Sequence, residues 1–224
     1  MYKHYMESRV TMTPEKSLTF LKEGNQRFIN NLKINRDHFE MVNITSDSQF
    51  PFASILSCSD SRTSAELIFD QGLGDLFSVR LAGNVASMDA VASLEFSHKI
   101  LGSKLIVVLG HTNCGAIKGA CDQYNQYNLK YLLDQIAPAI EIEAETIEER
   151  NSTNTKFVEN VAKINVQYQI QELVDKSSFL KTAIESRELG IIGAIYNVSS
   201  GKVEYFDMDI YTCDVLDTPL HFAN

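Results

Sequence analysis

Two short segments hold the residues with the most chemistry in this 224-residue chain: Cys58-Ser59-Asp60-Ser61-Arg62 and His111-Thr112-Asn113-Cys114-Gly115. Two thiolates and one imidazole are a common ligand set for Zn2+. Three protein ligands leave the fourth tetrahedral position open to water, as a catalytic rather than a structural site requires. Because two thiolate charges neutralise the ion formally, a neighbouring group must favour hydroxide over water. Asp60 stands two residues from a ligand and can accept a hydrogen bond from that hydroxide, fixing its direction. Arg62 can grip Asp60 through a two-pronged contact and keep it ionised. A single cysteine at a strand end is more often a small core hydrophobe than a ligand. The pairing of the two segments reverses that expectation, and the competing use of two such cysteines is thiol redox work.

The segments are useful only if the fold brings them together. Phe52-Ala53-Ser54-Ile55-Leu56 is a short apolar run of the kind that forms a buried strand; Asp75 to Arg80 predicts a second strand and Lys104 to Gly110 a third, rich in β-branched residues. A helix from about Ser87 to Leu101 separates the last two. Strands alternating with helices, the strongest of them apolar on both faces, place the chain in the α/β class with a parallel sheet covered by helices. Each chemical segment follows the carboxyl end of a strand, the first or the third. If those strands are neighbours, the segments meet at a topological switch point, where open α/β sheets bind ligands.

The remaining pattern fills in the frame. Thr13-Pro14-Glu15 supplies an N-cap, a proline at the first helical position and an early acid, so a helical arm is expected over about residues 13–32. Asn30 to Ser48 reads as polar and irregular. Ala116 to Asp122 and Leu129 to Ala144 read as helical, with Glu141, Glu143, Glu145, Glu148 and Glu149 forming a solvated acidic face. Phe157, Val161, Ile164 and Tyr168 mark one stripe of a long helix, followed by a shorter one near Phe179 to Ser186. Leu189 to Asn197 and Lys202 to Asp207 flank Ser199-Ser200-Gly201, predicting a closing hairpin. The expected architecture is one domain over residues 1–224, with a mostly parallel four-stranded sheet in the order 2-1-3-4 plus a C-terminal edge strand.

Composition narrows the partners. A formal charge of -9 and the lack of any basic cluster interleaved with aromatics argue against nucleic acid. No apolar run is long enough for a membrane span, and Met1-Tyr2-Lys3-His4-Tyr5 does not open like a secretory leader, so a cytoplasmic protein is expected. Four cysteines are too sparse for a disulfide scaffold and should be thiols. Cys121 and Cys213 have no ligand-like neighbours and read as structural. His4, His38, His98 and His221 carry no spacing signal.

The paired segments resemble the signature of the β-carbonic anhydrases. The likeness runs from about Thr13, where Leu21-Lys22-Glu23-Gly24-Asn25-Gln26-Arg27-Phe28 is similar to the family's N-terminal helix, to the strand pair near Asp207. It implies a lyase that converts carbon dioxide to bicarbonate through a zinc-bound hydroxide. By this resemblance one Zn2+ per subunit sits on Cys58, His111 and Cys114, with Asp60 and Arg62 as the dyad beside it. Gln49 stands where plant-type members keep a substrate-binding glutamine, and Phe77 and Ala82 fall at positions lining an apolar pocket. Gly115 would offer its amide near the bound anion, and Phe96 replaces a pocket tyrosine. Taken on residue type alone, Gln49 could merely solvate a loop, and Phe77 and Phe96 could be plain core. Ile55 replaces a tryptophan of bicarbonate-regulated bacterial members and Phe96 lacks the phenol their regulatory site uses. An open metal at neutral pH is therefore expected, although Arg80 is retained. Members build their sites at a dimer interface, which implies a homodimer or a larger assembly with Gln49 and Phe77 facing the metal across it. His98 and Tyr124 are proton-relay candidates by type only. The same scaffold also hosts hydrolysis of carbon disulfide and carbonyl sulfide. A non-catalytic zinc protein sensing bicarbonate or redox state is the other alternative, against which Asp60 and Arg62 argue.

Overall fold

Strands β1 (Ala53–Ser57), β2 (Leu76–Arg80), β3 (Leu105–His111), β4 (Gly190–Tyr196) and β5 (Val203–Tyr205) form one sheet in the order β2-β1-β3-β4-β5 in this computed structural model, which describes residues 11–216. The N-terminal pentapeptide, His4 and His221 lie outside the described residues. The pairs β1 with β2, β1 with β3 and β3 with β4 are parallel, and β5 runs antiparallel to β4. This is the expected order. The two strands that precede the chemical segments are hydrogen-bonded neighbours, with Ser57 opposite Leu109.

Every residue of β1, β3 and β4 is buried, because helices cover both faces of the parallel sheet. Alternation along β3 divides the core in two. Ile106 and Val108 join Leu56 and Ile191 on one face, under Val91 and Leu94 of α4 (Met88–Lys99), Val166 and Ile170 of α8 (Thr155–Lys176) and Leu180 and Ile184 of α9 (Ser178–Glu185). Leu105, Val107 and Leu109 face the other way, against Leu21 of α1 (Pro14–Ile29) and Ile68 of the one-turn α3 (Ala65–Ile68).

Helix α1 is held to the sheet by polar side chains as well as by Leu21. Ser17 Oγ donates to the Phe52 carbonyl at 3.1 Å. Asn25 Nδ2 donates to the carbonyls of Ile68 and Gly201, and the Val203 amide donates to Asn25 Oδ1 at 2.9 Å, so one buried amide ties α1 to both α3 and β5.

Three stretches differ from the sequence expectation. The segment expected to be irregular contains α2 (His38–Thr45), capped by Asp37, whose side chain accepts from the amides of Phe39 and Glu40; no residue of α2 is buried within this chain. The stretch expected as one helix over residues 129–144 is two, α6 (Leu129–Leu133) and α7 (Ala137–Ile142), and Pro138 sits in the first turn of the second. That ring has no N–H to donate and suits the start of a helix better than its middle. Within the acidic stretch Glu143 is 2% exposed rather than solvated. Its carboxylate accepts from Arg150 at 2.6 Å, from Thr146 and from Asn160, and burial alone would have raised its pKa, but these bonds bring it below the usual value.

Asp70 is a second buried carboxylate that holds the chain together. It sits just past α3 and accepts from Arg27 Nε at 2.6 Å and Arg36 Nη1 at 2.7 Å, fixing the segment that links α1 to α2. Burial pushes its pKa up, but the bonds from Arg27, Arg36 and the Ile34 amide together bring it below the ordinary range. A depressed carboxylate contributes stability that is present above its unfolded pKa, about 3.9, and is lost as the pH falls through its folded value. Asp70→Asn takes the carboxylate charge away from the buried Arg36 and from Arg27. We expect it to lower unfolding free energy at pH 7 by about 3 kcal/mol, with the gap to wild type closing below about pH 4; urea denaturation at both pH values checks this.

Candidate metal centre

The loop after β1 is pinned from below and from the side. Thr63 Oγ1 donates to the carbonyls of Cys58 and Asp60, at 3.0 and 2.9 Å, and the Thr63 amide donates to Asp60 O at 3.1 Å. Arg80, the last residue of β2, reaches across with Nε 3.2 Å from Cys58 O and Nη2 2.7 Å from Asp60 O. The loop after β3 is pinned through β4: the Thr112 amide donates to Tyr196 O at 3.0 Å and the Val198 amide donates to Thr112 Oγ1 at 3.1 Å. Asn113 then turns the chain with φ 56°, and Cys114 caps α5 (Gly115–Cys121).

These two pinned loops bring Cys58, His111 and Cys114 together, all buried, with their ligand atoms within 4.8 Å of one another. The two sulfurs are 3.9 Å apart. Tetrahedral zinc with Zn–S bonds of about 2.3 Å separates two sulfurs by about 3.8 Å, so the spacing fits. His111 Nδ1 lies 2.9 Å from the Thr112 carbonyl, which can only accept, so the ring proton is on Nδ1. Nε2 is left as a lone pair that is buried without a hydrogen-bond partner. A buried acceptor of this kind is costly unless something binds it, and an imidazole nitrogen beside two sulfurs is suited to a soft-to-borderline cation.

The sulfurs share a proton unequally. The hydrogen bond from the Cys114 thiol holds Cys58 well below the ordinary thiol range; burial opposes this, while the amides of Gly83 and Asp60 support it. Cys114 is raised, first because it donates to Cys58 and then by burial. A dication binding both sulfurs displaces the remaining proton. The two amides that favour the Cys58 thiolate each lie 3.4 Å from its Sγ. Gly83 presents its amide from a 3-10 turn, Ala82–Asn84, at φ 72°, and a Cβ there would come within 2.5 Å of Ile136 Cδ1. Glycine is needed for both reasons.

Asp60 is not part of the three-residue group. Its Oδ1 accepts from Arg62 Nε at 2.9 Å and from the Arg62 amide at 3.0 Å, and its Oδ2 accepts from Arg62 Nη2 at 2.7 Å. Those bonds, first of all the side-chain pair, hold the carboxyl well below the usual range. Arg62 Nη2 is also 3.4 Å from Asn113 O, so the arginine spans both ligand loops, and the Lys118 ammonium bonds the Asn113 side chain.

The other sequence-derived positions fall in two places. Ala82 opens the turn that carries Gly83, and Gly115 begins α5 with open space where a side chain would be. Gln49 lies at the opposite, amino end of the strands, lining a groove of about 710 Å3 with Leu73, Ile100 and Leu101. Phe77 is the second residue of β2, and its ring packs 6.3 Å from that of the half-exposed Phe96 on α4. Ile55 is buried in β1. His98 Nδ1 donates to the Ser103 carbonyl, 2.8 Å away at the same amino end, and Tyr124 is exposed past α5 with its hydroxyl near Gln126. Cys121 is packed in the apolar layer below the site, its thiol pushed up to about 11 by burial, and Cys213 lies far along the chain near Lys181 O. Sequence reasoning missed Thr63, the loop-holding contacts of Arg80, and Gly83. Thr63 alone had a local signal, a hydroxyl residue five positions after Cys58 and able to close a turn.

The family model described as carbonic anhydrase matches residues 53–203, from the first residue of β1 to the first of β5. A Mycobacterium tuberculosis protein named carbonic anhydrase 2 is 33% identical over 191 residues, spanning 81% of this chain and 87% of its own. The carbonic anhydrase of Mycolicibacterium smegmatis is 30% identical over 190 residues, with 82% and 89% covered. Among solved structures, the β-carbonic anhydrase CafA of Aspergillus fumigatus superposes with a TM-score of 0.66 at 26% identity, over 86% of this chain and 90% of that one. A tetrameric β-carbonic anhydrase of Sordaria macrospora gives 0.66 at 24% identity, over 75% and 87%.

Proposed function

This chain belongs to the β-class carbonic anhydrase family, and from that premise we propose that it converts carbon dioxide reversibly to bicarbonate and a proton at a zinc centre formed by Cys58, His111 and Cys114, one ion per chain. The observation that carries this reading is the unpartnered, buried Nε2 of His111 converging with two sulfurs. Bound there, zinc supplies the Lewis acidity that makes a hydroxide nucleophile available near neutral pH.

The chain's own residues supply the rest. Asp60 is the proton acceptor that orients the nucleophile; Arg62 holds both of its oxygens, so the carboxylate is fixed in direction and held off the metal position. This supports open coordination at neutral pH. Val85 and Ile117 pack around Cys58 and Cys114, keeping bulk water from the sulfurs. Gly115 leaves room for substrate, and Ala82 borders the pocket. Since both sulfurs must be reduced to act as ligands, the working compartment is the cytoplasm or one equally reducing. Among the described residues no helix is long and apolar enough to cross a membrane. The whole chain acts as one domain.

Gln49, Phe77 and Phe96 enter the reaction through a second copy. Within one chain Gln49 lies at the far end of the sheet, on a surface where Leu73, Phe96 and Ile100 are exposed beside Phe39, Val42 and Ile44 of α2. Several large apolar side chains left exposed on one chain are characteristic of an interface. We expect sedimentation equilibrium to give a dimer or a multiple of dimers; a monomer with full activity would refute this part.

Stopped-flow hydration of carbon dioxide, followed with a pH indicator, tests the main reading. Zinc-loaded protein should accelerate the reaction, lose that ability on chelation and regain it with added zinc. A preparation carrying one zinc per chain and giving no acceleration would overturn it.

A further inference from the structure

Helix α8 buries residues along half of its length, yet two of its fully buried positions are amides. Asn165 is 0% exposed and Gln169 1%. Amides in such surroundings are costly unless every polar atom is matched. Here one bond from each amide reaches the turn that faces Cys58, and the others tie the two amides to each other and to Gln135. Asn165 Nδ2 donates to Gly83 O at 2.9 Å, and the Ala86 amide donates to Gln169 Oε1 at 2.7 Å. Gln169 Nε2 donates to Asn165 Oδ1 and to Gln135 O, both at 3.0 Å. One further step along the same stripe, Lys176 Nζ donates to Ala86 O at 2.8 Å. Positions 165, 169 and 176 are four and seven residues apart, so they lie on one helix face.

The clasped segment has an uncommon backbone. Gly83 and Asn84 are consecutive residues in the left-handed region, with φ 72° and 47°, and the Gly83 amide lies 3.4 Å from the sulfur of Cys58. The same helix also lies tight against the strand that ends in His111, since a Cβ on Gly110 would come within 2.7 Å of Val166 Cγ2. Thus α8 bears on the site in two ways, by packing against the strand that ends in His111 and by hydrogen bonds to the turn whose Gly83 amide meets Cys58.

We propose that Asn165 and Gln169 are positioning residues for the metal centre. They hold the 83–86 segment so that the Gly83 amide meets Cys58 and Ala82 keeps its place at the pocket. This rests on the metal-centre reading above. Partners one shell out from a metal ligand typically change affinity or activity 10- to 100-fold when removed.

The test uses the full-length protein and four measurements on each variant: zinc affinity by chelator competition, the thiolate-to-metal absorption of the Co(II)-substituted form, thermal stability and the hydration rate. Asn165→Asp removes the donor to Gly83 with almost no change of volume, and Gln169→Ala removes both the Ala86 acceptor and the cross-link. Gln167→Ala is the control, because Gln167 is a buried amide on the same helix whose Nε2 bonds Val215 O rather than the turn. The two clasp variants should bind zinc about 10- to 100-fold more weakly and shift the cobalt band. The control should lose stability with affinity and spectrum unchanged. Should Asn165→Asp not fold, Lys176→Met, at the half-exposed end of the clasp, carries the test with an expected loss of about tenfold. Wild-type affinity and spectrum in folded clasp variants overturn the proposal alone. A wild-type protein that binds no zinc overturns the metal-centre reading and the clasp with it.

Discussion

Asp60→Asn is expected to lower kcat/KM for carbon dioxide hydration by about 10^2- to 10^3-fold with the zinc content unchanged. Both oxygens of Asp60 accept hydrogen bonds from Arg62, three in all. A carboxamide can accept at only one of its two ends; the other would point N–H groups at a guanidinium that itself can only donate. The side chain must turn or the arginine must leave, and in either case the proton acceptor is no longer aimed. Since Asp60 is not one of the three ligands, metal analysis of the variant should still return one zinc per chain. Hydration within about threefold of wild type would remove Asp60 from the mechanism. The same geometry corrects a simple view of Arg62. An unpaired aspartate titrates near 3.9 and is already ionised at neutral pH, so the depression caused by Arg62 does not change its charge state there. On the proposed mechanism Arg62 acts through direction, and the loss in Arg62→Ala should be flat between pH 6 and pH 9.

Cys58→Ala is expected to abolish both zinc retention and activity, the rate falling to that of buffer. Removing one of three ligands leaves His111 and Cys114, a pair that cannot complete a tight tetrahedral site. The change is small in volume and the position lies at a loop start, so the fold should persist, which circular dichroism can confirm. Chelator competition reads the affinity directly. If the variant kept one zinc with wild-type affinity, the ligand set would be wrong even if the enzyme were a carbonic anhydrase. The two variants therefore separate the metal from the chemistry: one keeps zinc and loses rate, the other loses both.

What could be seen in the sequence follows from which signals are local. Apolar runs such as Leu105 to Leu109 stand out because both sheet faces are covered, and once three strands and their crossovers are placed, adjacency of the first and third follows from a common α/β topology. The candidate ligands at the strand ends come with them. Helix α2 was not visible because Phe39, Val42 and Ile44 bury nothing within one chain, so no stripe is completed. The break between α6 and α7 had a signal, Pro138, that a purely periodic reading passes over. Glu143 was hidden among acids that do face solvent; its burial depends on Arg150 and Asn160, which are distant in pattern though near in space. Asn165 and Gln169 escape for the converse reason, since a periodicity search counts apolar residues and treats a buried amide as a gap. Gly83 shows no sign of its role until the turn is seen over Cys58.

Strand β1 pairs with β3 along its whole length, but the cysteines that follow the two strands are 56 positions apart in the chain. An ion held by both is therefore a cross-link at the carboxyl ends of two neighbouring strands, closing a loop that the unfolded polypeptide must leave open. Ligation then becomes part of the folding equilibrium: free metal at a thousand times its dissociation constant adds about 4 kcal/mol to the native state. The melting temperature of this protein should accordingly rise with the zinc activity of the buffer, and cells short of zinc would lose the enzyme to unfolding and proteolysis as well as to inactivity.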